Sequence, residues 1–216
     1  MLELIDLTQQ RGHHSLLGGL CASLRSSELM WVRGANGSGK TSLLRICAGL
    51  ARPATGRVLW QGQPLALQPS GVGAPAHVVW VGHRNGCNER LSPVETLHLE
   101  CRIRGLALSE GALIDALHAS GLKGHCDVPI QFLSQGQKRR VALSRLRLPQ
   151  PRDALWLLDE PFAGLDAQGA EWLHRCIERH VGAGGLVMVT AHDQDGFAVP
   201  SQKTLWLDAQ AQGVLA

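Results

Sequence analysis

Gly34-Ala35-Asn36-Gly37-Ser38-Gly39-Lys40-Thr41 follows the short apolar run Leu29-Met30-Trp31-Val32 and opens a segment with Leu43, Leu44, Ile46, Cys47 and Leu50 at helical spacing. The octapeptide fits Gly-x-x-x-x-Gly-Lys-Ser/Thr. A buried strand, a glycine loop and a helix in that order are the context in which this pattern reads as a phosphate site. The glycines let backbone N–H groups of residues 36–41 converge on phosphate oxygens with no Cβ in the way. The helix N-terminus adds partial positive charge, Lys40 a full one, and the Thr41 hydroxyl a ligand for Mg²⁺. Gly34, Ala35, Asn36, Gly37, Ser38, Gly39, Lys40, Thr41 and Ser42 are therefore the candidate residues for a nucleoside triphosphate. The bland alternative is a glycine-rich turn with a surface lysine.

Composition narrows the setting. A chain of 216 residues, 44% of them apolar, suits one large α/β domain or a domain with a small insert. Its 21 basic and 18 acidic residues leave a net charge of only +3, so no nucleic-acid partner is expected. Cys21, Cys47, Cys87, Cys101, Cys126 and Cys176 are scattered without a C-x-x-C, which predicts neither a disulfide framework nor a metal cluster. Reduced thiols suit a cytosolic setting. The N-terminal Met1-Leu2-Glu3-Leu4-Ile5-Asp6-Leu7 alternates like an edge strand and lacks a signal peptide's regions. No apolar run approaches the roughly 18–20 residues that span a bilayer.

Strands are predicted at residues 2–7, 29–32, 57–60, 77–81, 155–158, 186–190 and 204–207. Several are continuously apolar, as when helices cover both faces of a mostly parallel sheet. The first segments, with no long helix between them, predict an antiparallel side sheet. Ser92-Pro93-Val94-Glu95 is a capping box with proline at the first helical position; the helix should pass Leu97, Leu99 and Ile103 and stop near Gly105. A second helix follows Ser109, with Leu113, Ile114 and Leu117 as its stripe, and a third follows Ser134. Residues of about 90 to 147 thus form a helical insert, and Pro149-Gln150-Pro151 marks the return to the sheet. No internal repeat occurs, so residues 1–216 read as one nucleotide-binding unit. The histidines lack ligand spacing and read as surface residues.

Leu155-Trp156-Leu157-Leu158-Asp159-Glu160 is an apolar strand ending in two carboxylates. Beside a phosphate loop, Asp159 suits Mg²⁺, usually through water, and Glu160 suits the base or water-positioning role. A solvent-facing acidic pair is the alternative.

Leu133-Ser134-Gln135-Gly136-Gln137 resembles the signature loop of ABC-transporter ATPases, usually Leu-Ser-Gly-Gly-Gln, with Gln135 in place of the first glycine. Gln135 should crowd that turn, while Gly136 keeps a flexible residue in it. Ala163-Gly164-Leu165-Asp166 resembles the loop coupling two sites, with Asp166 also a candidate N-cap. Thr190-Ala191-His192-Asp193 resembles the switch-histidine segment. The resemblance spans nearly the whole chain. It implies an α/β P-loop ABC-type ATPase core with a small antiparallel β part and a helical insert, working with ATP and Mg²⁺ as a homodimer. By that likeness Ser134, Gly136 and Gln137 close over ATP held by the second copy, and Lys40, Glu160 and His192 are catalytic.

Two departures stand out. His83 replaces the usual Q-loop glutamine near Mg²⁺, so Thr41, Asp159 and His83 form the implied metal set. A neutral imidazole accepts a hydrogen bond from metal-bound water, but its charge varies near pH 6.5; a surface loop histidine is the alternative. No tyrosine occurs, and Arg11 stands near the usual adenine-stacking aromatic, where a guanidinium could stack on the base; a solvated turn arginine is the alternative.

Within the family, Gly82-His83 and Gln135-Gly136-Gln137-Lys138-Arg139-Arg140-Val141-Ala142-Leu143 look most like the haem-exporter ATPases of cytochrome c biogenesis. That likeness implies integral-membrane transporter subunits, the haem-exporter permease, as partners, and a peripheral place on the cytoplasmic face of a bacterial inner membrane. The ATPase of another small-molecule transporter, a soluble ABC-type mechanoenzyme and a catalytically silent ATP-binding subunit are the alternatives.

Overall fold

The computed structural model describes residues 1–11, 14–65, 77–190, 199–207 and 214–215, and the side chains of all of these except 11, 14, 15, 214 and 215. In chain order the elements are β1 (Leu2–Arg11), β2 (His14–Leu24), β3 (Glu28–Arg33), α1 (Lys40–Cys47), β4 (Thr55–Trp60), β5 (Gln63–Pro64) and β6 (Val78–Val81). Then come α2 (Pro93–Ile103), α3 (Glu110–Ala119), α4 (Gln135–Ser144), β7 (Leu155–Asp159), α5 (Ala167–Gly182), β8 (Leu186–Thr190), β9 (Ser201–Trp206) and β10 (Val214–Leu215).

Two sheets form. One is antiparallel in the order β2-β1-β4-β5; the other runs β10-β9-β3-β8-β7-β6 and is parallel apart from β10. The central strands obey the period of two that a strand imposes on its side chains. Met30, Val32, Leu155, Leu157, Leu186 and Met188 face one core, shared with α1 and the antiparallel sheet. Leu29, Trp31, Trp156, Leu158, Val187 and Val189 face the other, against α4 and α5. Burial on both faces is why these strands read as unbroken apolar runs.

The helical insert has its own core, built from Val94, Leu97, Cys101, Leu113, Leu117, Leu122, Ile130 and Val141. Ser92 and Glu95 form the expected capping box, and Gly105 turns the chain at φ 66°. The buried stripe of α2 is narrower than its apolar content: Leu99 and Ile103 are exposed. Gln135 and Gly136 lie inside α4 rather than in a loose turn, so the expected crowding does not arise.

β2 was not among the expected strands, and its burial pattern explains why. Leu17, Leu20 and Leu24 are buried at spacings of three and four, a helix-like rhythm. Register shifts against β1 between Leu4 and Thr8 produce it, with Asp6 (φ 48°) and Gly19 (φ 78°) taking the left-handed conformations of a bulge.

Two histidines are not surface residues. His77 stacks on Trp60 at 4.5 Å between ring centres, and His180 on Trp156 at 3.9 Å. Nε2–H of His180 donates to the Ala154 carbonyl at 2.8 Å, and burial pulls this imidazole down from 6.5 to about 4. The folded chain thus excludes a proton that the unfolded chain takes up below about pH 6.5. This contribution to stability is complete above that pH and is lost as pH falls toward 4. A His180→Phe variant keeps a ring on Trp156 but neither titrates nor bonds Ala154. It should be about 1 kcal/mol less stable at pH 8, with a smaller drop in Tm between pH 6.5 and 4.5 than the unaltered chain. Equal drops in thermal melts of the two proteins would refute the assignment.

Candidate functional site

The end of β3 turns into the phosphate loop through Gly34 at φ 148°, where a Cβ would run into the Leu207 carbonyl and lie 2.6 Å from Ser38 Oγ. Gly39, at φ 98°, precedes the first helical residue, and Leu16 of β2 lies 3.1 Å from where its Cβ would be. Lys40 folds back over the loop, its Nζ donating to the carbonyls of Gly34 at 2.7 Å and Ala35 at 3.0 Å. The result is a cleft of about 250 Å³ lined by Leu16, Asn36, Gly37, Gly39, Lys40, Thr41, Ser42 and Glu160. Leu16 is a lining residue that sequence reasoning missed. Ser38 Oγ is buried and has no hydrogen-bond partner among the described residues. Such a loop fits a polyphosphate.

Asp159, only 2% exposed, ends β7 beneath this loop. Thr41 Oγ1 donates to its Oδ2 at 2.8 Å and Thr190 Oγ1 to its Oδ1 at 2.9 Å. A hydroxyl and a carboxylate are the hard oxygen donors that suit Mg²⁺. Thr190 in turn accepts from the Glu160 amide at 2.8 Å. Glu160 sits at φ 47°, a left-handed conformation that costs a non-glycine residue about 1–2 kcal/mol. This turn swings its carboxylate into the cleft, where Nδ1 of the exposed His83 lies 3.3 Å from Oε2. His83, implied as a metal group, is thus placed against Glu160.

Arg139, on α4, was quoted only as part of a family likeness and proves central. It is 4% exposed, and its guanidinium donates to the carbonyls of Asp159 (3.0 Å), Glu160 (2.8 Å), Pro161 (3.2 Å) and Gly82 (2.8 Å) and to Asn85 Oδ1 (3.2 Å). Burial pulls it down to about 10, which still leaves it charged at neutral pH. A signal was present: Arg139, Ala142, Leu143 and Leu146 share one helical face, and the last three are core. Arg140 makes a different tie, to the Ser120 carbonyl and to Asp166. Asp166 caps α5 by accepting from the Gly169 amide, and this bond, with Arg140 beside it, holds its carboxyl below the usual carboxylate value.

Ser134 is the exposed N-cap of α4. Its Oγ accepts from the Gln137 amide, while Gln137 Oε1 accepts from the Ser134 amide. Gln137 Nε2 also lies 3.0 Å from His125 Nε2. Gly136 faces the Gly164 carbonyl, which would be 3.0 Å from an added Cβ. The Arg11 backbone closes β1, but its side chain is outside the described residues, as is the whole of His192. Among the described residues no group of three or more His, Cys, Asp or Glu side chains is placed to hold a metal ion, and all six cysteines are free thiols. Cys47, fully buried, is pushed up to about 12.

Comparisons with known proteins agree with this geometry. Residues 17–163 match the ABC transporter family. The chain is 44% identical over 191 residues to the cytochrome c biogenesis ATP-binding export protein CcmA of Pseudomonas savastanoi pv. phaseolicola, covering 88% of this chain and 87% of that one. The protein of the same name from Escherichia coli K12 is 41% identical over 192 residues, 89% of each. Among solved structures, an ATP-binding subunit of an ABC transporter superposes with a TM-score of 0.84 at 22% identity, over 100% of this chain and 89% of that one. A dimeric ATP-binding cassette in a post-hydrolysis state bound to ADP and Pi gives 0.82 at 20% identity, over 100% and 98%. The chain belongs to the ABC transporter family and, within it, to the CcmA group of cytochrome c biogenesis ATP-binding export proteins.

Proposed function

We propose that this chain, acting over residues 1–216 as one nucleotide-binding unit, is the ATP-hydrolysing subunit of a membrane complex that exports or delivers haem for cytochrome c biogenesis. The observation that carries the reading is the convergence of Lys40, Thr41 and Glu160 on one cleft walled by a glycine loop, with the buried Asp159 bonded to Thr41. Lys40 and the loop amides would hold the triphosphate, and Thr41 and Asp159 would hold Mg²⁺. The metal, when bound, supplies a Lewis acid on the phosphate oxygens. Glu160 aligns or deprotonates the attacking water, and His192 stabilises charge on the γ-phosphate. Arg11 is assigned to the adenine.

Two copies close as a sandwich, each presenting Ser134, Gly136 and Gln137 to the other's nucleotide. The α4 cap leaves the exposed Ser134 hydroxyl a proton to donate, so the helix end meets an anion without giving up its own capping. The integral-membrane partner, the haem-exporter permease, docks beside the loop that carries His83. A groove there is lined by Arg84 and by the ion pair of Lys138 with Glu89 at 2.8 Å. Among the described residues no helix is long and apolar enough to cross a membrane. We assign the chain a peripheral place on the cytoplasmic face of a bacterial inner membrane. Purification of the assembled complex in mild detergent tests the narrow reading: haem-handling subunits should co-purify, and an unrelated permease would defeat it while sparing the ATPase.

Glu160→Gln should retain ATP binding, measured at equilibrium, while turnover in the complex falls about 10²–10⁴-fold; unchanged turnover would remove Glu160 from its role. In that blocked background, Asn36→Cys and Ser134→Cys in a chain lacking the exposed Cys21 should form a disulfide between protomers only with MgATP. Failure to cross-link under those conditions would rule out the sandwich.

A further inference from the structure

The two parts of this chain assigned to nucleotide, the helix that begins at Ser134 and the turn that carries Glu160, are joined by a buried side chain, Arg139. Arg139 lies five residues beyond the Ser134 cap, about 7.5 Å along the axis of α4. A guanidinium has five N–H donors in a fixed plane, and all five are matched here. Three go to the consecutive carbonyls of Asp159, Glu160 and Pro161, and two to Gly82 and Asn85. Three successive carbonyls turn toward one cation only where the backbone bends sharply, and the bend is the left-handed Glu160 at φ 47°. The Glu160 amide is fixed from the opposite side by Thr190. The strained residue is thus clamped through both of its own backbone polar groups.

The remaining donors reach across to the loop that follows β6. Gly82 and Asn85 flank His83, whose ring lies on the Glu160 carboxylate. The loop and Glu160 therefore meet twice, at the carboxylate through His83 and at the backbone through the Arg139 fork. We propose that Arg139 is a positioning residue for hydrolysis: it locks the Glu160 turn to the loop at Gly82–Asn85 and to α4, so that movement of either resets the carboxylate's aim. Arg139 touches no substrate, and the proposal rests on the assignment of Glu160 as the residue that orients or deprotonates water. Lysine cannot replace it in this geometry, because one ammonium cannot reach acceptors on two separate loops at once.

The test uses the full chain assembled with its membrane subunits and compares Arg139→Lys, Asn85→Ala, their double variant and Glu160→Gln. Steady-state turnover gives kcat and KM for ATP; equilibrium binding of ADP and thermal melts report on the site and the fold. Arg139→Lys should lower kcat tenfold or more, with KM and the ADP Kd within threefold of the unaltered protein. Asn85→Ala, at a half-buried loop position, should lower kcat about threefold with KM unchanged and add nothing to Arg139→Lys. A kcat within twofold of the unaltered protein for both single variants, effects that multiply in the double variant, or a KM that rises in step with the loss would each overturn the proposal. If Arg139→Lys does not fold, the kcat and KM of Asn85→Ala decide it alone. Glu160→Gln separates the two ideas: turnover that survives it defeats the reading of Glu160, whereas an inert Glu160→Gln beside an unaltered Arg139→Lys defeats only the role of Arg139.

Discussion

A carboxylate taken out of water at the end of a central strand must be met by donors, and most of this fold serves that requirement at Asp159. Leaving such a group unmatched costs several kcal/mol. Here the donors come from two other elements: Thr41 at the start of α1 and Thr190 at the end of β8. Each is delivered by parallel pairing. β3, which launches the phosphate loop, pairs with β8, and β8 pairs with β7 so that Thr190 stands opposite Asp159. The sheet order and the site are therefore one constraint. Displacing any of the three strand ends would strand a buried charge beside the position where a triphosphate's charge accumulates.

The cation side of the same region is arranged by two neighbouring arginines that point to different places. Arg139 reaches the end of β7 and the loop after β6, while Arg140 reaches Ser120 at the end of α3 and Asp166 at the start of α5. Each is less than a tenth exposed, so neither is a solvated surface charge. Gly121 and Gly169 leave room for Arg140, since a Cβ at either would press on its guanidinium. The helical insert is thus tied to the ATPase core by polar forks as well as by apolar packing. Hydrogen bonds from a charged donor are directional, and they hold a register that greasy contacts would let slide.

What could be read from the sequence follows from where periodicity is honest. Strands β3, β7 and β8, buried on both faces, announce themselves as apolar runs, and the phosphate loop sits where strand and helix meet. The caps at Ser92, Ser109, Ser134 and Asp166 were legible because each is a local pairing with a residue three positions on. β2 was hidden because a bulge resets its alternation. The role of Arg139 was hidden for another reason: four of its five acceptors are main-chain carbonyls, 20 to 22 and 57 residues away, and carbonyls leave no mark in side-chain identity. His77 and His180 likewise pair with tryptophans that only the tertiary fold brings near.

The capping of α4 bears on how one loop could serve two masters. In the proposed sandwich, bare first-turn amides would prepare a helix end poorly for a partner's phosphate, because they would take up water that has to be shed on closure. In this chain the Gln137 amide is already held by Ser134 and the Ser134 amide by Gln137, which His125 steadies from behind. What is left facing outward is a hydroxyl proton and the remaining amides of a rigid first turn. Gly136 completes the arrangement by letting the Gly164 carbonyl approach, so the loop leading to Asp166 packs closely on the start of α4. Preorganisation of this kind lowers the ordering entropy of association. The same helix carries Arg139, which bonds the carbonyls of Asp159 and Glu160, so the Ser134 cap and the Glu160 turn are tied to one element.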